Sequence, residues 1–196
     1  AGLPALRLPE DRPRPAVQSF QGAIGRYRLG KTLTRGVDAL SSGQGVTPFM
    51  TLLTAMQVAL GRLAEQPQFV MGSVVSGRDH PASEAMIGFF INNLLLRADL
   101  SDNLSFIQQL TRVRDEFLDA EANQHYPLQQ LVQSLSAGAD LSRNPLHQVS
   151  FTYQPAGLAN GRFGQIQVRG QAIVPATTHM DLEVIAIPDG DELMLV

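Results

Sequence analysis

Ile87-Gly88-Phe89-Phe90-Ile91-Asn92-Asn93-Leu94-Leu95-Leu96-Arg97 decides how the rest of this chain is read. The run is apolar enough to predict a strand over 89–97, yet a glycine and two adjacent amides interrupt it. Neighbouring residues of a strand point to opposite faces, so Asn92 and Asn93 would each need a separate hydrogen-bond partner. A polar group buried without one costs about 1–3 kcal/mol. Val or Thr would serve a plain strand as well, so the two amides mark a position with a task beyond folding.

Upstream, residues 69–75 form a continuous apolar run, the pattern of a strand covered on both faces. A polar crossover at 76–85 joins it to the amide-bearing strand. Further back, Thr47-Pro48 reads as a helix start: a hydroxyl at the cap, and proline in the first turn, where its missing N–H costs nothing. The helix predicted over 48–64 is apolar nearly all round (Phe49, Met50, Leu52, Leu53, Met56, Val58, Leu60, Leu63) and is expected to be central and buried. A strand over 22–29 and a short helix over 31–42 are expected before it, and the proline-rich residues 1–19 read as an extended tether.

Downstream, turn residues at 101–103 precede an amphipathic helix that repeats Phe106, Ile107, Leu110, Val113, Phe117 and Leu118 at helical spacing. Pro127 opens a second helix over 128–135, and 138–144 is a loop. Strands are predicted at 147–153, 163–169, 180–187 and 192–196, the last two joined by the Pro188-Asp189-Gly190-Asp191 turn. The fold class is α/β, a mixed sheet with flanking helices.

A chain of 196 residues that is 44% hydrophobic and 17% charged can bury a sizeable core. A net charge of −3 and a pI near 5.8 argue against nucleic acid or an anionic membrane as partner. Without cysteine, thiol nucleophiles, disulfides and thiolate metal sites are excluded. No apolar run approaches the ~18 residues of a membrane span, and a cytoplasmic location is the expectation. The chain closes at Leu193-Met194-Leu195-Val196, read as an open apolar strand edge that would invite association. It is therefore expected to be a piece of a longer protein.

The four histidines, His80, His125, His147 and His179, lack the spacing of a metal site, and none is expected. No G-x-S-x-G elbow, phosphate-binding loop or dinucleotide fingerprint is present. The residues alone thus provide no complete catalytic constellation.

Six ordered motifs resemble the condensation domains of nonribosomal peptide synthetases. Leu6-Arg7-Leu8-Pro9-Glu10-Asp11-Arg12-Pro13-Arg14-Pro15 with Ser19-Phe20-Gln21-Gly22 resembles the linker between their two lobes. Val46-Thr47-Pro48-Phe49-Met50-Thr51-Leu52-Leu53 resembles a helix of the C-terminal lobe. Gly77-Arg78-Asp79-His80-Pro81 resembles the G-R-x-x-P turn, and residues 87–97 the I-G-x-F-V-N-T-x-x-x-R motif. Asn123-Gln124-His125-Tyr126-Pro127-Leu128 is similar to H/N-Q-D-x-P-F, and Asp140-Leu141-Ser142-Arg143-Asn144-Pro145-Leu146 to D-x-S-R-N-P-L.

The resemblance implies a CoA-dependent acyltransferase-like (chloramphenicol acetyltransferase-like) C-lobe over 22–196, with 1–21 as the inter-lobe linker. Such domains form an amide between a carrier-bound acyl donor and a carrier-bound amine. They bind no cofactor directly, since phosphopantetheine arms arrive on donor and acceptor carrier proteins. The implied partners are those carriers, the N-terminal lobe and an adjacent adenylation domain; nucleic acid and membrane are not among them. The family's catalytic H-H-x-x-x-D-G motif belongs to the N-terminal lobe, and no two histidines are adjacent here. No catalytic residue is therefore assigned in this chain, and the chain alone is expected to be inactive.

By the same resemblance Arg78 supports the active site by pairing with the Asp of that motif, a use suited to the planar, always-charged guanidinium. Asn92, Asn93 and His125 are implied to lie near the tunnel between the two lobes that receives the phosphopantetheine arms; Asn93 replaces the usual Thr, and His125 the usual Asp. Gly88, Arg97, Arg143, Asn144 and Pro145 are implied to stabilise the motifs. The alternatives are an epimerisation or heterocyclisation relative of the same fold, and a non-catalytic lobe for docking carrier proteins.

Overall fold

In the computed structural model, residues 5–78, 80–135, 140–154, 160–169 and 176–196 are described. Thr47 caps its helix as read: its hydroxyl accepts from the Met50 N–H at 3.2 Å, and Pro48 takes the first turn. The elements in order are β1 (Tyr27–Arg28), α1 (Gly30–Gln44), α2 (Pro48–Leu63), β2 (Gln68–Val75), a 3₁₀ turn (Pro81–Ser83), β3 (Asn92–Asp99), α3 (Phe106–Ala122) and α4 (Leu128–Leu135). They continue with β4 (Val149–Tyr153), β5 (Asn160–Phe163), β6 (Ile166–Arg169), β7 (Leu182–Asp189) and β8 (Glu192–Leu195). Ser105 and Gln108 form a reciprocal capping box at the start of α3, satisfying two otherwise orphaned N–H groups.

Six strands form one mixed sheet in the order β1-β8-β7-β4-β2-β3. β2, β4 and β7 run parallel; β3 pairs antiparallel with β2, β8 antiparallel with β7, and β1 antiparallel with β8, so that β1 runs in the direction of β7 again. The core gathers Leu53 and Leu60 of α2, Phe69 and Met71 of β2, Leu94 and Leu96 of β3, Val113 of α3, and Val149 and Phe151 of β4. Phe49 bridges helix and sheet, 4.9 Å from Phe117 and 5.6 Å from Phe151 between ring centroids. Each such aromatic buries a large apolar area and fixes how α2 and α3 sit on the sheet.

Several expected boundaries move. The strand expected over 22–29 shrinks to Tyr27–Arg28, Gly25 weakening the segment before it; Gly22 belongs instead to the isolated bridge of Gln21 to Thr177, its N–H donating to the Ala176 carbonyl at 2.8 Å. The strand expected over 89–97 begins at Asn92 and continues to Asp99. The single strand expected over 163–169 is a separate two-stranded hairpin, β5 and β6, turning at Gly164 with φ +59°. Helix α2 is buried only on one side, with Leu63 exposed, and β2 loses its cover at Val74.

Residues 5–19 contain no helix or strand but are not a loose tether. Leu6 is 2% exposed within the core, its N–H donates to Gln148 Oε1 at 3.0 Å, and Arg14 grips the Asp181 carboxylate with both terminal nitrogens. The segment expected to be an open edge, 192–196, is paired on both sides, by β7 and by β1, and Leu193 is buried.

Candidate functional site

The site assembles at one end of the sheet. Val75, which ends β2, is in register with Asn92, which begins β3, so the crossover between them arches over that end. Gly77 starts the arch with φ +59°, and a Cβ there would stand 2.0 Å from the Phe90 carbonyl oxygen. Only glycine meets both conditions.

Arg78 comes next and is half-buried. Its guanidinium carbon lies 4.2 Å from the centroid of the Phe90 ring, and its Nη1 donates to the Ser83 carbonyl. Among the described residues no carboxylate pairs with it. The 3₁₀ turn that presents Ser83 is held by His80, whose Nδ1 accepts from the Ala82 N–H at 3.1 Å while its carbonyl accepts from Ser83 Oγ at 2.6 Å. His80 is thus a capping residue.

Asn92 joins two segments. Its Nδ2 donates to the Gln124 carbonyl at 2.6 Å and to the Tyr126 carbonyl at 3.2 Å, while its Oδ1 accepts from the Asn93 N–H at 2.9 Å. Two motifs far apart in sequence are thereby stitched together, and the loop before α4 is pinned to the start of β3. Asn93 is exposed beside Val74, and His125 is exposed on the pinned loop. The two amides therefore do not sit inside a buried strand, as the apolar pattern suggested, but at its mouth. Asn92→Ala would remove two hydrogen bonds that pin this loop, one part-buried and one exposed, and is expected to lower stability by about 1–2 kcal/mol, read as a thermal-melt shift of several degrees.

Gly88 is exposed, and a Cβ there would come 2.9 Å from the edge of the Phe90 ring. Around this end Met86, Ile87, Phe89, Ile91 and Tyr126 are exposed, Ile87 completely and Phe89 at 86%. So much clustered apolar surface marks a face that needs a cover.

Arg97, Arg143, Asn144 and Pro145 lie at the opposite end of the sheet, because the loop before β4 enters the sheet beside the start of β2. Eight strand residues separate the two ends, roughly 25 Å. Arg97 is exposed and ion-paired with Asp99 at 2.8 Å. Arg143 Nε sits 2.9 Å from Asp140 Oδ2 but off the N–H direction, an ion pair rather than a hydrogen bond. Asn144 Oδ1 accepts from the Leu146 N–H at 3.2 Å and its carbonyl from Gln148 Nε2 at 3.0 Å, while Pro145 is exposed. Hydrogen bonds from the Ser142 hydroxyl and N–H hold the Asp140 carboxyl below the usual carboxylate range. These four residues shape a loop and a strand end, remote from Arg78.

Two further residues stand out in the folded chain. Phe90 falls on the aromatic position of the I-G-x-F-V-N-T motif, which sets it apart from Phe89 without indicating what it touches. His147 is the other: it is 3% exposed, its ring nitrogens find no partner among the described residues, and it fills the space a Cβ on Gly72 would take, 2.3 Å from Nε2. Burial lowers its pKa. The unfolded chain accepts a proton near the ordinary histidine value and the folded chain resists it. Stability from this group is thus complete above that value and is lost as the pH falls below it. Melting temperatures should drop between about pH 7.5 and pH 5, and His147→Leu should flatten part of that drop.

Among the described residues no three His, Asp or Glu side chains converge as a metal site would require. The condensation-domain family model matches residues 1–196. A linear gramicidin synthase protein of Brevibacillus parabrevis is 42% identical over 168 residues, 86% of this chain and 2% of that protein. Malpibaldin synthetase of Mortierella alpina is 36% identical over 189 residues, 96% of this chain and 3% of that protein. The chain therefore spans only a few per cent of such relatives. Among solved structures, a four-domain nonribosomal peptide synthetase bound to AMP and glycine superimposes with a TM-score of 0.86 at 23% identity, covering 96% of this chain and 15% of that one. The X-domain from teicoplanin biosynthesis gives 0.85 at 22% identity, covering 100% and 46%. Both share the fold.

Proposed function

The chain belongs to the condensation-domain family, and from that premise we propose that residues 22–196 are the C-terminal lobe of an amide-forming domain, with 1–21 leading in from its N-terminal lobe. The observation that carries this is the pairing, at one sheet end, of a guanidinium with no carboxylate partner among the described residues and an exposed apolar rim of Met86, Ile87, Phe89 and Ile91. A second lobe would supply both the cover and the counter-ion. The reaction joins a carrier-bound acyl or peptidyl thioester to a carrier-bound amine, releasing the donor thiol. Phosphopantetheine arms bring both substrates, so the partners are donor and acceptor carrier proteins, together with the neighbouring adenylation domain. A cytoplasmic setting fits this assembly, and no single helix among the described residues is long and apolar enough to cross a membrane.

In this reading Arg78 braces the catalytic loop of the other lobe. Asn92 sets the loop that carries His125 and Tyr126 at the tunnel mouth, with Asn93 exposed beside it. The proton-handling group at the amine belongs to the other lobe, since no adjacent histidine pair exists here. Loaded donor and acceptor carriers mixed with this chain alone should give no amide product by mass spectrometry, whereas the two-lobed parent should turn over. Comparable turnover by the chain alone would overthrow the assignment.

A further inference from the structure

Two glycines from different motifs make room for one residue, Gly77 for the Phe90 backbone and Gly88 for its ring. A Cβ on Gly77 would strike the Phe90 carbonyl oxygen at 2.0 Å, and one on Gly88 would come 2.9 Å from the ring itself. Phe90 is half-buried while Phe89 and Ile91 on either side are exposed, so the chain turns this one side chain inward. What it meets is a cation: the Arg78 guanidinium carbon stands 4.2 Å from the ring centroid.

A planar guanidinium over a ring face is held in orientation as well as attracted, because the ring blocks one of its two faces. The Ser83 carbonyl engages Nη1, which fixes rotation within the plane. Nε and Nη2 have no partner among the described residues. That edge takes a carboxylate side-on, through two parallel N–H···O bonds.

We propose that Phe90 is a positioning residue: with the Ser83 carbonyl it locks the Arg78 guanidinium so that the Nε–Nη2 edge faces a carboxylate of the second lobe. This rests on the reading of Arg78 as an ion-pairing residue given above. An arginine already fixed in its pairing geometry loses less side-chain freedom when the lobes engage, so the catalytic loop it braces is held in one arrangement. A leucine would fill the same volume without offering a ring face.

The test uses the two-lobed domain with carrier-bound substrates. Phe90 is replaced by mono-, di- and trifluorinated phenylalanine, which keep the ring's shape while draining the negative potential of its face. Turnover at saturating carriers should fall progressively, by about two- to thirtyfold across the series, with KM changed by less than about twofold. Phe90→Tyr should retain activity. In an Arg78→Gln background, already impaired, fluorination should cost nothing further.

Fluorination that is silent in the wild type, or equally harmful in the Arg78→Gln background, overturns the Phe90 proposal and leaves the ion-pair reading standing. Full activity of Arg78→Gln alone sinks the ion-pair reading and the Phe90 proposal with it. Phe90→Leu serves as a second variant, its melting curve separating lost folding from lost positioning.

Discussion

Gly77→Ala is expected to destabilise the domain by more than about 3 kcal/mol, among the larger effects a single methyl can have. Two costs add. At φ +59° an L-residue pays about 1–2 kcal/mol against glycine. The new Cβ would also sit 2.0 Å from the Phe90 carbonyl oxygen, which is backbone and cannot swing aside as a side chain can. Relief requires the whole segment entering β3 to shift, and with it Asn92 and its hold on the Gln124 and Tyr126 carbonyls. Gly30→Ala is the internal control. Its φ is +71°, but nothing lies within 4 Å of the added methyl, so only the dihedral cost of about 1–2 kcal/mol remains. Denaturant melts of the two variants should differ by at least about 1 kcal/mol; coincident midpoints would mean that the crossover does not pack on Phe90 as described.

Arg78→Ala should separate the lone chain from the two-lobed protein. In the chain alone the arginine gives up one hydrogen bond to the Ser83 carbonyl and its place over Phe90, worth together about 1–2 kcal/mol. In the two-lobed protein a carboxylate would be left buried without its counter-ion, and breaking such a pair costs about 3–5 kcal/mol. The loss should appear as low soluble yield and a lowered melting temperature, with activity falling in consequence. Arg78→Lys should rescue only part of it, restoring charge without the two-pronged geometry. Thermal melts of wild type and both variants decide the matter. Three coincident curves for the two-lobed protein would make Arg78 an ordinary loop residue.

Local chemistry was legible where one residue dictates one conformation. Pro127 and the apolar spacing behind it gave α4 at 128–135 without error, and Thr47-Pro48 gave the start of α2. The Gly190 turn was legible for the same reason, since its φ of +65° calls for glycine. What local pattern could not give is which segments meet. Apolar spacing does not reveal that β3 begins at Asn92, because Phe89, Phe90 and Ile91 would suit a strand equally well. It also does not reveal that Arg143 and Asn144 lie at the opposite end of the sheet from Arg78, since the parallel pairing of β4 with β2 is a long-range fact. That Asn92 has a task follows from the cost of an amide in such a run, but its partners, two backbone carbonyls in another motif, are visible only in the folded chain.

The place of β8 bears on how this protein emerges from a ribosome. Among the described residues β1 pairs with β8 alone, and α1 reaches the same strand through Thr34, whose hydroxyl oxygen accepts from the Leu193 N–H at 3.0 Å. Tyr27 therefore waits for Leu195, its register partner, before it has any ladder to join. At about 5–20 residues per second, translation leaves that early strand exposed for on the order of ten seconds or more. Such late closure of a long loop makes folding slow. The β1 edge of this sheet therefore closes only after β8 has emerged.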